Sequence, residues 1–197
     1  MAADGSEIAV DVKCEKGNVM KKLLTTLLVL CICISASYAA QPVSPGASFE
    51  IGFSPNRRSL SIIVDEIDRS EESILVAAYS FTSQPISVAL LEAHERGVIV
   101  QVIADERSNS GRYSAVTFLA NQGVPVRVNS RYAIFHHKFM VFDSRHVQTG
   151  SFNFSAAAAE RNAENVLLLR DVPEIAQIYS QEWLRLWRES KEVKPRY

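Results

Sequence analysis

The chain is poor in the features that mark specialised architectures. Eight Gly and seven Pro in 197 residues exclude collagen-like and low-complexity structures. No segment recurs at a fixed period, which excludes solenoids and propellers. A formal net charge of -1 excludes a polybasic coat, so any nucleic-acid contact must come from a local basic site. The longest apolar stretch, Leu23 to Ile34, is about twelve residues and is broken by Thr25 and Thr26, against the roughly 20 that a membrane span needs. What is present is ordinary: 47% hydrophobic and 22% charged residues, enough apolar content to form a core.

The three cysteines are confined to positions 14, 31 and 33. Residues 20–40 place Lys21 and Lys22 before the apolar stretch and a small-x-small triplet, Ser37-Tyr38-Ala39, after it. That order predicts a secretory signal peptide cleaved after Ala39 or Ala40, and hence a periplasmic or secreted product, with an uncleaved anchor as the alternative. No small residue stands just before Cys31 or Cys33, so no lipoprotein site is read. Residues 1–19 read as an upstream extension, with translation starting at Met20. The mature segment, 41–197, then has no cysteine, which removes disulfides, cysteine-bound zinc and thiol catalysis. A chain of that size buries roughly 70% of its unfolded surface, enough for one domain without staples.

Within that segment strands alternate with helices. Ser48–Phe53 reads as a strand ended by Ser54-Pro55-Asn56, and Leu60, Ile63, Val64 and Ile67 form a helical stripe. Ile74–Tyr79 and Val98–Ala104 are buried strands. Between them Pro85 opens a helix with the stripe Ile86, Ala89, Leu90, Ala93, closed by Gly97. A helix over Tyr113–Asn121 precedes a strand at Val124–Val128. Ala133–Phe142 and His146–Phe152 read as consecutive strands joined by Asp143-Ser144-Arg145, and Asn165–Leu169 as another. The last helix, Pro173 to Arg188, is expected to turn Ile175, Ile178, Trp183, Leu186 and Trp187 inward. The fold class is α/β: a single domain with a mixed β-sheet sandwiched between helices.

The chemically informative stretch is Phe135–Asn165. Alternation in a strand puts His136 and Lys138 on one face and His137 and Phe139 on the other. The same rule puts Ser151 and Asn153 together after the next strand, and Ser155 reads as the N-cap of a helix over Ala156–Glu160. An imidazole, an ammonium, a hydroxyl and a carboxamide that converge suit a phosphate: Lys as point charge, Asn and Ser as donors, His as nucleophile or acid. Each of these residues alone is more often structural. The string His136-x-Lys138-x4-Asp143-x6-Gly150-Ser151-x-Asn153 is far more specific than its parts.

That string resembles the HxKxxxxD signature of the phospholipase D superfamily, followed by its GSxN. The chain is most similar to the small, exported, single-motif bacterial endonucleases of that superfamily, a resemblance running from about Phe49 to Trp187. Ile51–Pro55, Ala77–Ser83 and Asn162–Val166 share it. The resemblance implies a phosphohistidine mechanism in which a motif His attacks phosphorus and a second motif's His protonates the leaving oxygen. It makes His136 the nucleophile or acid, Lys138 and Asn153 the ligands of the phosphoryl oxygens, and Ser151 an assistant. Glu164 is then the acid that orients the motif His. Asp143 belongs to the signature, with a structural role at its turn as the alternative.

In-line displacement puts nucleophile and leaving group on opposite sides of phosphorus, so one imidazole cannot serve both. The motif occurs once, and His94, His137 and His146 are poor substitutes, which predicts a homodimer pairing two copies of His136. No metal or cofactor is expected. The acidic pairs Asp65-Glu66, Glu71-Glu72 and Asp105-Glu106 read as solvated surface rather than as a metal site.

Four of the 21 cations and four of the 22 acids lie before residue 41, so the mature segment is also balanced. Fourteen of its cations are Arg, the type suited to phosphate forks. Arg57, Arg58, Arg107, Arg112, Arg131 and Arg161 lie in or near loops where they are candidates for a groove. The expected partner is nucleic acid, DNA first with RNA left open as a further substrate, cleaved with little sequence preference. A phospholipase acting on membrane phospholipid is the alternative, lowered because no Lys-rich amphipathic helix or long apolar loop is visible. A phosphate-binding module without catalysis is a third reading, disfavoured by the His–Glu pair.

Overall fold

Short apolar runs and stripes of period 3.6 alternate along the chain, and they assemble into one mixed sheet with helices on both faces. The computed structural model describes residues 42–55, 58–111 and 114–196. The signal peptide, the upstream extension, Arg57 and Arg112 lie outside the described residues. In chain order the elements are β1 (Ser48–Ser54), α1 (Ser59–Arg69), β2 (Ser73–Ala78), α2 (Gln84–Glu95), β3 (Ile99–Asp105), α3 (Ala115–Asn121), β4 (Val126–Asn129), β5 (Lys138–Phe142), β6 (His146–Gly150), α4 (Ala156–Glu160), β7 (Glu164–Arg170), α5 (Pro173–Arg188) and β8 (Lys191–Glu192).

The strand order is β1-β7-β6-β5-β2-β3-β4-β8. β2, β3 and β4 run parallel, joined by helical crossovers, and every other neighbouring pair is antiparallel. Residue alternation in the central strands sorts the core into two layers. Ile74, Val76 and Ala78 of β2 face the side covered by Ile62, Ile63 and Ile67 of α1, Ile86 and Leu90 of α2, and Leu119 of α3. Ala77 between them faces the other side, with Val141, Val147, Ala176, Trp183 and Leu186, where α5 packs. The Trp183 indole N–H donates to the Val76 carbonyl at 2.9 Å, so this large side chain is buried without an orphaned donor.

Four expectations need correction. The strand expected from Ala133 begins only at Lys138, because the chain at Phe135 turns to give its N–H to the Asp105 carboxylate (2.9 Å) instead of to a neighbouring strand. β6 ends at Gly150, so Ser151 and Phe152 lie beyond the strand expected to contain them. Ile178 is 61% exposed, not inward. At 100° per residue it stands about 140° from Trp183 around the helix, off the face that Ala176, Trp183 and Leu186 bury. Glu66 and Asp105 are not solvated surface: each is buried with dedicated partners, Glu66 taking the Arg170 guanidinium at 2.9 Å.

β1 is an edge strand with a divided character. Gly52 lies against α1, where an added Cβ would come within 2.9 Å of the Ser59 backbone, so only glycine permits this approach. Phe49, Ile51 and Phe53 alternate to the opposite face and are 70%, 49% and 52% exposed. In sequence this stripe is indistinguishable from a core-facing one, because period-two apolar residues in a strand normally mean core. Among the described residues, no helix is long and apolar enough to cross a membrane.

Candidate active site

The site forms along one edge of the sheet, where β2 and β6 end and β5 and β7 begin. Antiparallel pairing brings these ends together: Ala78 is opposite Lys138, and Gly150 is opposite Val166. Residues distant in sequence are thereby gathered without any long loop having to reach.

His136 and Lys138 lie on one side of their segment, as alternation predicts, although His136 precedes β5. The His136 ring meets the Tyr79 ring edge-on, with centroids 4.6 Å apart, and the Lys138 Nζ sits 5.1 Å from the same Tyr79 centroid. His137 turns the other way, its ring between the edges of Phe135 (5.2 Å) and Phe139 (5.5 Å). Lys138 is buried, and Nζ donates to the His136 carbonyl at 2.9 Å, leaving two ammonium protons for a ligand. Burial pushes this ammonium below the usual lysine range, with the Glu164 charge opposing the shift. A cleft of about 400 Å³ is lined by His136 and Lys138 together with His137, Phe139, Thr149, Gly150, Ile178, Tyr179 and Glu182, so it reaches to the His137 side of the segment.

Ser151 and Asn153 leave β6 through Gly150, whose φ of 147° is left-handed. A Cβ at Gly150 would overlap the Asn165 carbonyl oxygen, so this crossing of β6 and β7 requires glycine. Ser151 does not face a ligand freely. Its Oγ donates to Glu164 at 2.6 Å and accepts from the Asn165 backbone and side-chain amides at 3.1 and 3.2 Å. Glu164 also accepts from Asn162 Nδ2 at 3.1 Å. Asn153 is half-buried, and its Oδ1 is enclosed without a hydrogen-bond partner. Ser155 caps α4, accepting from the Ala158 N–H at 3.2 Å.

Asp143 stands apart from this group, at the far end of β5, about 16 Å along the strand from Lys138. Its carboxylate accepts three backbone N–H groups, from Glu71 (3.1 Å), Glu72 (2.8 Å) and Ser73 (2.9 Å), and so ties the β5–β6 turn to the start of β2. His146 is likewise engaged elsewhere, its Nδ1 accepting from the Asp171 N–H at 2.9 Å. Of the candidate arginines, Arg58 pairs with Glu50, Arg131 with Glu189, and Arg107 reaches the Ala133 carbonyl. Arg161 is exposed at the end of α4. Tyr79, Asn165, Tyr179 and Glu182 were not singled out from sequence. Tyr79 and Asn165 carried a signal, lying in the stretches Ala77–Ser83 and Asn162–Val166 that share the resemblance, and Tyr79 is also a polar aromatic at the end of a buried strand.

An imidazole and a buried ammonium over one aromatic ring, at the strand ends of this mixed sheet, define a phospholipase D-like α/β protein. Residues 63–187 match the family described as cardiolipin synthase, PLD-like domain, and the chain belongs to that family, within the phosphodiesterases of the phospholipase D superfamily. It is similar to a protein named phospholipase D from Rickettsia felis, 39% identical over 67% of this chain and 66% of that one. It is also similar to a mitochondrial cardiolipin hydrolase from Danio rerio, 32% identical over 67% of this chain and 58% of that one. The chain thus spans about two thirds of the length of the curated relatives it matches. Among solved structures it resembles Nuc, a phospholipase D family member from Salmonella typhimurium, with a TM-score of 0.73 and 37% identity over 75% of this chain and 99% of Nuc.

Proposed function

We propose that this protein is a metal-independent phosphodiester hydrolase that cleaves DNA, and also RNA, as an endonuclease through a phosphohistidine on His136. The observation that carries the reading is the shared placement of His136 and Lys138 over Tyr79 at the strand ends, with the Glu164 charge, hydrogen-bonded to Ser151, acting on Lys138. An imidazole nitrogen of His136 attacks phosphorus, the N–P bond forms and the P–O bond to the leaving group breaks. The leaving oxygen takes its proton from the second imidazole. Water then attacks phosphorus, the N–P bond breaks, and the water's proton restores that imidazole. The two free protons of Lys138 and the Asn153 amide hold the non-bridging oxygens as charge develops on them.

The second imidazole is His136 of another copy of the chain, because His137 turns away and His146 is engaged. The exposed stripe Phe49, Ile51 and Phe53 supports self-association. It runs toward the site, since Phe53 pairs with Asn165, which holds Ser151. Phe49→Glu with Phe53→Glu is expected to convert a dimer to a monomer in light scattering and to abolish activity. A fully active wild-type monomer at assay concentration overturns the dimer.

The likeness to Nuc along nearly its whole length, at 37% identity, supports nucleic acid as substrate. A second reading, hydrolysis of membrane phospholipid, is favoured by the similarity to the Rickettsia phospholipase D and the Danio cardiolipin hydrolase. Export to the periplasm after signal-peptide cleavage belongs to the proposal. The test is plasmid cleavage in excess EDTA by the purified protein, with His136→Asn alongside. Cleavage by the native protein alone is expected. Inactivity on DNA together with hydrolysis of labelled phospholipid vesicles transfers the assignment to the second reading.

A further inference from the structure

We infer that Tyr79 is the positioning residue that orients His136, and that buried Asn109 holds Tyr79 in place to do so. The inference rests on the proposed role of His136 and concerns what keeps that ring ready to react.

The resemblance assigns the orienting role to Glu164. Within one protomer the Glu164 carboxylate is spent on Ser151 and Asn162, and among the described residues no hydrogen bond reaches the His136 ring. The aromatic contact that this ring makes is with Tyr79, at 4.6 Å and 60° between planes, an edge-to-face geometry that favours one ring orientation. The Tyr79 ring centroid also lies 5.1 Å from the Lys138 ammonium. One side chain thereby sets the relation between the attacking nitrogen and the cation that receives the phosphoryl oxygens.

Tyr79 stands just past the end of β2, where the ladder no longer holds the backbone. Asn109 takes over there. Its Nδ2 donates to the Tyr79 carbonyl at 2.6 Å and to the Asp105 carbonyl at 2.8 Å, and its Oδ1 accepts the Phe81 N–H at 2.9 Å. Both amide protons and the carbonyl are used, so this 4% exposed side chain clamps the Tyr79–Phe81 bend from both sides. Asp105, one turn earlier, accepts the Phe135 N–H at 2.9 Å, immediately before His136. The ends of β2 and β3 and the segment that delivers His136 are therefore tied together beneath the site. Nothing in this arrangement uses the Tyr79 hydroxyl, so the ring alone carries the role.

The test uses bis(p-nitrophenyl) phosphate, a phosphodiester that favours neither substrate reading, with His136→Asn as the inactive reference. Tyr79→Leu is expected to lower kcat about 100-fold, the cost of a reacting group misplaced by about 1 Å, with KM within about threefold. Tyr79→Phe is expected to retain kcat within about threefold, because it restores the ring. A nuclear Overhauser contact between the Tyr79 and His136 ring protons is expected in the wild-type protein and needs no variant to fold. Full kcat in Tyr79→Leu, or no such contact in wild type, overturns the inference. Equal hydrolysis by wild type and His136→Asn overturns the catalytic reading instead, while the ring contact still reports whether Tyr79 orients His136.

Discussion

Asp143 separates a signature residue that reacts from one that builds. Its carboxylate takes three backbone N–H groups at the opposite end of β5 from the site, and its own φ is 50°. Asp143→Ala removes all three acceptors and puts a residue less tolerant of φ > 0 at that position. A hydrogen bond to a charged group is worth about 1.5–3 kcal/mol when well buried, and these donors are largely exposed, so about 0.5–1 each is appropriate. Adding about 1 kcal/mol for alanine in the left-handed region gives a loss of about 3 kcal/mol. At about 2–4 °C per kcal/mol for a domain of this size, the melting temperature falls by about 6–12 °C. Asp143→Asn keeps one oxygen for the Glu72 and Ser73 N–H groups and tolerates the positive φ, so its loss is about 1 kcal/mol. Thermal melts and bis(p-nitrophenyl) phosphate turnover, assayed well below both melting temperatures, read the two effects separately. Turnover is expected to stay within about twofold of wild type, the residue being about 16 Å along the strand from Lys138. An unchanged melting temperature with turnover lost 100-fold refutes the structural assignment and returns Asp143 to the catalytic group.

Two further outcomes follow from other parts of the fold. Burial raises the Asp105 carboxyl, but the N–H groups of Phe135, Ser108 and Arg107 outweigh it and hold the group below its ordinary 3.8. The folded pKa being the lower one, Asp105 adds stability above pH 3.8 and loses it as pH falls from there through the folded value. Urea melts between pH 5 and 2.5 are therefore expected to show a shallower acid loss in Asp105→Asn than in wild type, and equal slopes count against the argument. Gly150→Ala forces the Asn165 backbone away from the end of β6 and is expected to cost about 2–4 kcal/mol and to depress turnover, since Ser151 and Asn153 follow directly. An alanine variant with wild-type melting and turnover shows that the crossing relaxes at no cost.

Local chemistry alone determined most of the order of elements. Nearly continuous apolar runs in β2 and β3, the Ile86–Ala93 stripe of α2, and Pro173 at the start of α5 are short-range patterns that the fold cannot reverse without exposing the core. His136, Lys138 and Asn153 were legible as a group because their spacing is itself the signal. Tertiary structure decided what lies beyond any short window. The sheet order brings β2, 57 residues upstream of His136 at Tyr79, beside β5, so no local window shows that this aromatic meets the imidazole. Buried Asp105 and Glu66 looked like surface charge because a carboxylate is buried only where distant N–H groups or a guanidinium meet it, and Phe135 and Arg170 do so from 30 and 104 residues away. The exposed face of β1 was hidden for the converse reason. Whether an apolar stripe becomes core depends on which helix crosses it, and α5 packs over β2, β5 and β6 and leaves Phe49, Ile51 and Phe53 uncovered.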